Sequence, residues 1–407
     1  MTLIECFTDS HVDNISACLR LKPEKTVLIG NGEKMAEAAE RYRRLLRQRQ
    51  QNTRIILRDV QGKNFAQVCA VLGKLICGEK ECVINLTGGD ELVIMAVGAV
   101  LEKLDCVSME HIRVEKYDRD LDAVVDCMHD DRPFPGEPVN LTVKELIELH
   151  GGCLHPESYQ PPADFGHRDL DGLWSIVSAA PREWNRAIGV LNELESRSGS
   201  KQGGQINLEA LRSKVSDYVQ KEYTARKLLD KLHQHGVVED RSSWDVLKYT
   251  YRSPILRYCT QKAGNVLEVK TLTEGRGVLE NGAPLFHDAL MSVSIDWDAV
   301  IHDPAKRIPE TRNEIDVVFM HGTVPLFVSC KNGTVGEEEL YKLHTVAGWF
   351  GGPYARKMLI ATDLNQKSPA ATRAFVQRAW DMDILLVTDA AELSKEEWQE
   401  IFRKAVE

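Results

Sequence analysis

Residues 82–99, CVINLTGGDELVIMAVGA, decide how the first third of the chain folds. Cys82 to Leu86 is short, apolar and β-branched, which suits a strand buried on both faces. Thr87-Gly88-Gly89 breaks it. Asp90 and Glu91 then open a run whose apolar residues continue round the helical turn. Strand, glycine turn and apolar helix make one βα unit of a parallel sheet.

Three further units precede it. LIECFT (3–8), TVLIG (26–30) and TRIIL (53–57) read as strands, and Val12–Leu21, Glu33–Gln50 and Phe65–Cys77 as the helices that follow them. This repeat predicts an α/β, Rossmann-like, doubly wound and mainly parallel sheet. In such sheets ligands bind beyond the carboxyl ends of the strands. Two loops there stand out. Thr8-Asp9-Ser10-His11, with Asn14, follows the first strand, and Thr87-Gly88-Gly89 follows the fourth. Asn31, after the second strand, lies on the same rim. Glycines admit a phosphate close to the backbone, and a helix start offers unpaired N–H groups. The same stretch reads as well as a tight turn with Asp90 capping a helix. The dinucleotide fingerprint GxGxxG is absent; Gly30-Asn31-Gly32 is too short.

NLTGGDELVIMAVGA (85–99) resembles the signature of CARF domains, the ligand sensors of type III CRISPR systems. The resemblance implies a pocket for a cyclic oligoadenylate across a two-fold homodimer, with the first-strand loop as its second wall. The family's Thr-Lys after the glycines is Asp90-Glu91 here, and Glu91 repels phosphate.

The 407 residues carry a formal net charge of −10 and 43% hydrophobic residues, so the chain can build more than one core and is not a constitutive nucleic-acid coat. Its ten cysteines form no CxxC pair, which argues against structural zinc. No signal-peptide layout and no membrane-length apolar run occur, so a cytoplasmic protein with no membrane partner is expected. DDRPFPGEP (130–138) reads as a boundary and SRSGSKQGG (196–204) as a polar loop. The expected parts are therefore a CARF-like domain at 1–135, a helical or winged-helix-like connector at 136–252, and an α+β domain at 253–407. In the connector, residues 211–240 read as two helices ending in a possible wing, HGVVED. A plain helical connector fits equally.

The chemistry gathers in NEIDVVFMHGTVPLFVSCKN (313–332). Alternation puts Glu314, Asp316 and Val318 on one face of the first strand, and Ser329 and Lys331 on one face of the second. A hairpin through His321-Gly322 then sets Asp316 beside Lys331. Pro254 to Lys270 reads as helical, so Glu268 can add a carboxylate. KMLIATD (357–363) and ILLVTD (384–389) are further strands, with helices at Glu337–Phe350 and Pro369–Trp380.

This layout resembles a PD-(D/E)XK nuclease, a restriction-endonuclease-like fold. The resemblance implies Glu268, Asp316 and Lys331 as catalytic residues. It implies Mn²⁺ or Mg²⁺ held by Glu268, Asp316 and the Cys330 carbonyl, and nucleic acid, DNA and/or RNA, as substrate. Ser329 stands where the pattern has a carboxylate. Glu339, on the edge of its helix's apolar stripe, is one substitute ligand and Asp296 in SVSIDW another; Glu338 reads as solvent-facing and paired with Lys342. His321 and His344 read as turn and surface residues. Together the two ends resemble the CARF nucleases, type III CRISPR ancillary effectors. A homodimeric nuclease activated by cyclic tetra-adenylate is expected. The alternatives are a non-catalytic nucleotide sensor with a decayed nuclease, and a nuclease whose first domain only dimerises.

Overall fold

The computed structural model describes residues 1–104, 112–118, 123–126, 138–155, 167–199, 204–299, 312–364 and 368–407. The boundary expected at 130–138 lies, up to residue 137, outside these residues, as do residues 200–203 of the polar loop.

The N-terminal part is β1 (Thr2–Cys6), α1 (His11–Leu21), β2 (Lys25–Gly30), α2 (Gly32–Gln48), β3 (Arg54–Asp59), α3 (Phe65–Cys77), β4 (Cys82–Asn85), α4 (Glu91–Lys103), β5 (Ile112–Asp118) and β6 (Ala123–Asp126). The sheet order is β3-β2-β1-β4-β5-β6, parallel except for β6. Strand order reverses between β1 and β4. The exit loops of these two strands lie at the rim where open α/β sheets bind ligands in a crevice.

The middle part is α5 (Val143–Leu149), β7 (Cys153–Leu154), α6 (His167–Ala179), α7 (Pro181–Ser198), β8 (Gln205–Asn207), α8 (Tyr218–Gln234), β9 (Val238–Asp240) and β10 (Val246–Tyr251). Strands β8, β10 and β9 form a small antiparallel sheet beside the helices. Residues 211–234 hold one long helix rather than two: a 3-10 turn ends at Leu211, and α8 starts only after Asp217, whose φ of +53° is left-handed. After α8, β9 and β10 pair antiparallel, at the place where HGVVED reads as a possible wing.

The C-terminal part is α9 (Pro254–Gln261), α10 (Asn265–Arg276), β11 (Leu279–Glu280), β12 (Ala283–Pro284), β13 (Asp288–Asp296), β14 (Arg312–His321), β15 (Val324–Lys331), α11 (Glu337–Gly351), β16 (Arg356–Ala361), α12 (Pro369–Asp381), β17 (Leu385–Val387) and α13 (Lys395–Val406). The helix expected over 254–270 is broken at Lys262–Gly264. The break frees the Ala263 carbonyl, which accepts from Trp184 Nε1 at 3.0 Å and Asn332 Nδ2 at 3.2 Å. The sheet runs β17-β16-β15-β14-β13-β7. β13, β14 and β15 are antiparallel neighbours, and β15, β16 and β17 are parallel through the crossover helices α11 and α12. Its edge strand β7 comes from residues 153–154, inside the stretch expected to be connector.

Two apolar cores clamp this sheet. One joins α6, α7 and α8 to α10, α13 and one sheet face. The other joins α11, α12 and the opposite face, through α5, to α1, α2 and β1 of the N-terminal part.

Candidate functional site

The β14–β15 pairing runs from His321↔Val324 to Val317↔Val328, which sets Asp316 opposite Ser329. At this level strand alternation slips. Val317 and Phe319 pack on the α10 side and Val318 and Met320 on the α11 side. Ile315 should follow Val317, yet it packs on the α11 side. On β13, Met291 and Val293 pair with Val317 and Ile315, and Ser292 between them has φ +49°. A bulge-like turn at Ser292 and Asp316 thus re-aims the side chains on both strands. The single face expected for Glu314, Asp316 and Val318 is therefore interrupted.

Asp316 Oδ2 accepts from the Cys330 N–H at 2.6 Å and from Ser329 Oγ at 3.2 Å. The Lys331 Nζ lies 3.8 Å from it and 3.0 Å from Glu339 Oε2. Cys330 points to the opposite face, where its Sγ lies 3.4 Å from Thr271 Oγ1. Glu268, on α10, accepts from Ser292 Oγ at 3.2 Å, and that serine shares a 2.6 Å hydrogen bond with Tyr258. Sequence reasoning missed Ser292 and Tyr258; SVSIDW showed a strand but not the turn within it.

These groups feel one another. Burial, then the Asp316 and Glu314 charges, push the Glu268 carboxyl up to about 8. Burial raises Asp316 too, against the pull of Lys331 and the Cys330 N–H. Burial alone would lower the Lys331 ammonium; Asp316 and Glu339 outweigh it and hold it above its ordinary value. Among the described residues, no three His, Cys, Asp or Glu side chains converge as a ready-made metal cage.

Other candidates fall away. Asp296 lies four residues along β13 from Ser292, about 13 Å at strand rise, and caps its own turn through the Asp298 N–H. Glu338 is exposed, but no ion pair with Lys342 forms; its carboxylate folds back over Gly336. His321 and His344 bind the Leu285 and Met382 carbonyls.

The N-terminal candidates meet at the β1/β4 crevice. Asn14 is buried and ties Thr8 at both backbone ends: the Thr8 N–H donates to its Oδ1 at 2.9 Å, and its Nδ2 to the Thr8 carbonyl at 2.6 Å. It shapes the loop from beneath. His11 is held by Tyr42 at Nδ1 and Arg41 at Nε2, and burial, then His150 and Arg41, push it down to about 3, so it stays neutral. Asp9 pairs with Lys34 at 2.9 Å on the exposed rim. Asn31 caps α2 by accepting from the Glu33 and Lys34 N–H groups. Ser10 precedes α1 without a side-chain capping bond.

The glycines have a packing reason. A Cβ on Gly88 would meet Thr8 Cγ2 at 2.6 Å, and one on Gly89, at φ +123°, would meet Cys6 Cβ at 2.5 Å. They let the β4 loop close on the β1 loop. Thr87, expected to offer a hydroxyl donor, gives that hydrogen to Asn85 Oδ1 at 2.5 Å, and Asp90 caps α4 through the Leu92 N–H.

No family model and no curated protein matches the sequence. Solved structures do match. Protein VC1899 from Vibrio cholerae is 15% identical, over 100% of this chain and 97% of that one, with a TM-score of 0.73. Can2 from Sulfobacillus thermosulfidooxidans, in complex with cyclic tetra-adenylate, is 16% identical over 100% and 97%, with a TM-score of 0.64. The three chains share one fold. The likeness to Can2 runs from end to end, so the order of N-terminal parallel sheet, middle helices and C-terminal sheet is common to both. Among the described residues, no helix is long and apolar enough to cross a membrane.

Proposed function

We propose that the chain is a nuclease of type III CRISPR defence, acting in the cytoplasm as a homodimer and activated by cyclic tetra-adenylate. Its three parts divide at about residues 135 and 252, with β7 of the middle part completing the C-terminal sheet. The observation that carries this reading is the Glu268–Asp316–Lys331 cluster at the β14–β15 hairpin. Two carboxylates that burial makes costly to ionise, Glu268 further raised by the Asp316 charge, with a lysine alongside, form a site that gains from a cation and meets a phosphate.

The donors fit Mn²⁺ or Mg²⁺. Both are hard cations that prefer oxygen, and a positive charge at Glu268 and Asp316 would relieve the strain that pushes their carboxyls up. Glu268, Asp316 and the Cys330 carbonyl would hold it. Glu339 is spent on Lys331 instead. Bound there, the ion supplies charge neutralisation at the scissile phosphate and a more acidic water. The chain's own groups do the rest. The Cys330 N–H and Ser329 hydroxyl fix Asp316. Lys331, kept protonated by Asp316 and Glu339, faces the charge that builds on the phosphate as the bond to it breaks.

The likeness to Can2 in its cyclic tetra-adenylate complex supports the activator. The crevice between Thr8–His11 and Thr87–Gly89 is its place in each protomer. A symmetric ligand on a two-fold axis meets both loops twice and shifts the dimer only by its differential affinity for two arrangements. The test is cleavage of single-stranded DNA, single-stranded RNA and plasmid with Mn²⁺, with and without cyclic tetra-adenylate. Ligand-dependent cutting by wild type and none by Lys331→Ala is expected. Equal cutting by the variant places the chemistry elsewhere; ligand-independent cutting sinks the activation. No cutting under any condition leaves a nucleotide sensor with a decayed nuclease.

A further inference from the structure

The middle helices do more than connect. Between α6, α7 and α8 lies a groove of about 170 Å³ with an apolar floor that includes Ile176, Trp184 and Leu228. Arg186, Lys227 and Lys231 line it, against one carboxylate, Glu183. None of the three cations forms an ion pair among the described residues, whereas most neighbouring charges do: Arg182 pairs with Asp363, Lys221 with Glu193 and Arg226 with Glu222. On a chain of net charge −10, such a concentration of unpaired positive charge is a local exception. Tyr223, 61% exposed, stands on the same wall.

Helix α7, one wall of the groove, is tied to the end of β15. Asn185, next to Arg186, donates through Nδ2 to the Asn332 carbonyl, next to Lys331. Asn332 is fixed in turn by Thr362 at 2.7 Å and by the Ala263 carbonyl at 3.2 Å. Arg182 anchors the start of α7 to Asp363, just past the end of β16. These bonds fix α7 to the ends of β15 and β16, while the Lys331 side chain turns to the α11 face of the sheet.

The geometry points to this groove as a binding site for a single nucleic-acid strand, with Arg186, Lys227 and Lys231 on its phosphates and Tyr223 under a base. The assignment rests on the nuclease reading above. Its chemistry is that of sequence-tolerant strand binders, which combine a positive groove with an aromatic platform. A groove between helices with one exposed ring suits an unpaired strand better than a duplex, whose bases stay stacked.

The test measures binding, so that it stands apart from cleavage. Labelled oligodeoxynucleotide and oligoribonucleotide of one sequence are titrated by fluorescence anisotropy, with cyclic tetra-adenylate present, on a Lys331→Ala background that prevents cutting. Replacing Arg186, Lys227 and Lys231 together by Ala should weaken binding and flatten the salt dependence, by about 0.7 in log–log slope per phosphate contact, or about 2 in all. Tyr223→Ala should weaken binding roughly ten-fold with the slope unchanged. A control replacing the exposed Arg44, Lys103 and Lys395 removes the same net charge and should change neither. Whichever oligonucleotide shows the effect identifies the strand the groove prefers. Unchanged affinity in the groove variants, or an equal loss in the control, overturns the assignment. Because no step needs catalysis, an inactive hairpin would leave this result standing and would overturn only the nuclease reading.

Discussion

The Lys331 ammonium stands closer to Glu339, at 3.0 Å, than to Asp316, at 3.8 Å. Glu339 is thus a positioning residue for the lysine, and its charge helps keep Lys331 protonated. Removing it lowers the pH at which the lysine loses its proton. Glu339→Gln should move the alkaline limb of the cleavage profile to lower pH and reduce the rate, by roughly ten-fold or more if Lys331 also loses its aim. Glu338→Gln should leave the profile in place. A pH–rate series on the three proteins decides it; superimposable profiles would refute the role.

Glu268 carries its own signature in stability. Its carboxyl titrates at 4.5 when unperturbed and at about 8 in the fold. A raised value means stability that is complete below about 4.5 and is lost as pH rises through about 8. Glu268→Gln stays neutral, so its melting temperature should fall less than that of wild type between those limits. Added Mn²⁺ should raise the wild-type melting temperature near pH 8 and raise that of the variant less. Parallel melting curves, with and without Mn²⁺, would remove Glu268 from the site.

At the crevice, Gly88→Ala places a methyl 2.6 Å from Thr8 Cγ2. The two loops must part, and the response to cyclic tetra-adenylate should weaken. Thr8→Ser removes that Cγ2 and should recover part of the loss in the double variant, a coupling a cycle of four proteins measures. Additive effects on ligand binding would mean that the loops act independently.

Arg49 on the α2 C-cap grips Glu145 of α5 through two bonds, at 2.7 and 2.8 Å, and also reaches the Asn140 carbonyl. Despite burial, Arg49 and the Thr142 N–H hold the Glu145 carboxyl below its usual value. Arg49→Ala should cost about 2 kcal/mol at neutral pH. A lowered value contributes stability above the unperturbed 4.5 that is lost as pH falls, so the gap between variant and wild type should close in acid. A gap independent of pH in denaturant titrations would assign the loss to packing alone.

The elements that sequence revealed share one property: their signal is periodic or apolar over several residues. The strands 26–30, 82–86, 313–320 and 325–332 are legible for that reason, and the loops Thr8–His11 and Thr87–Gly89 follow from where such strands end. What escaped depends on single residues or on distant partners. Cys153–Leu154 is too short to show alternation and is a strand only because β13 lies beside it. The slip at Asp316 is set by the left-handed backbone of Ser292, a residue type that rarely announces it. In sequence the glycine pair fits a ligand or a tight turn equally; the structure adds that its close partners are Thr8 and Cys6.

One further consequence belongs to α5. Its buried side chains Val143, Leu146, Ile147 and Leu149 lie in the same core as Leu45 and Leu46 of α2 and as Leu343 and Phe350 of α11. A protein built this way cannot trade its parts freely. Grafting the C-terminal sheet onto another N-terminal domain would strip the apolar surface that α5 covers, unless residues 139–155 travelled with it. Recombination between such proteins should therefore leave junctions upstream of this helix rather than between the connector and the final sheet.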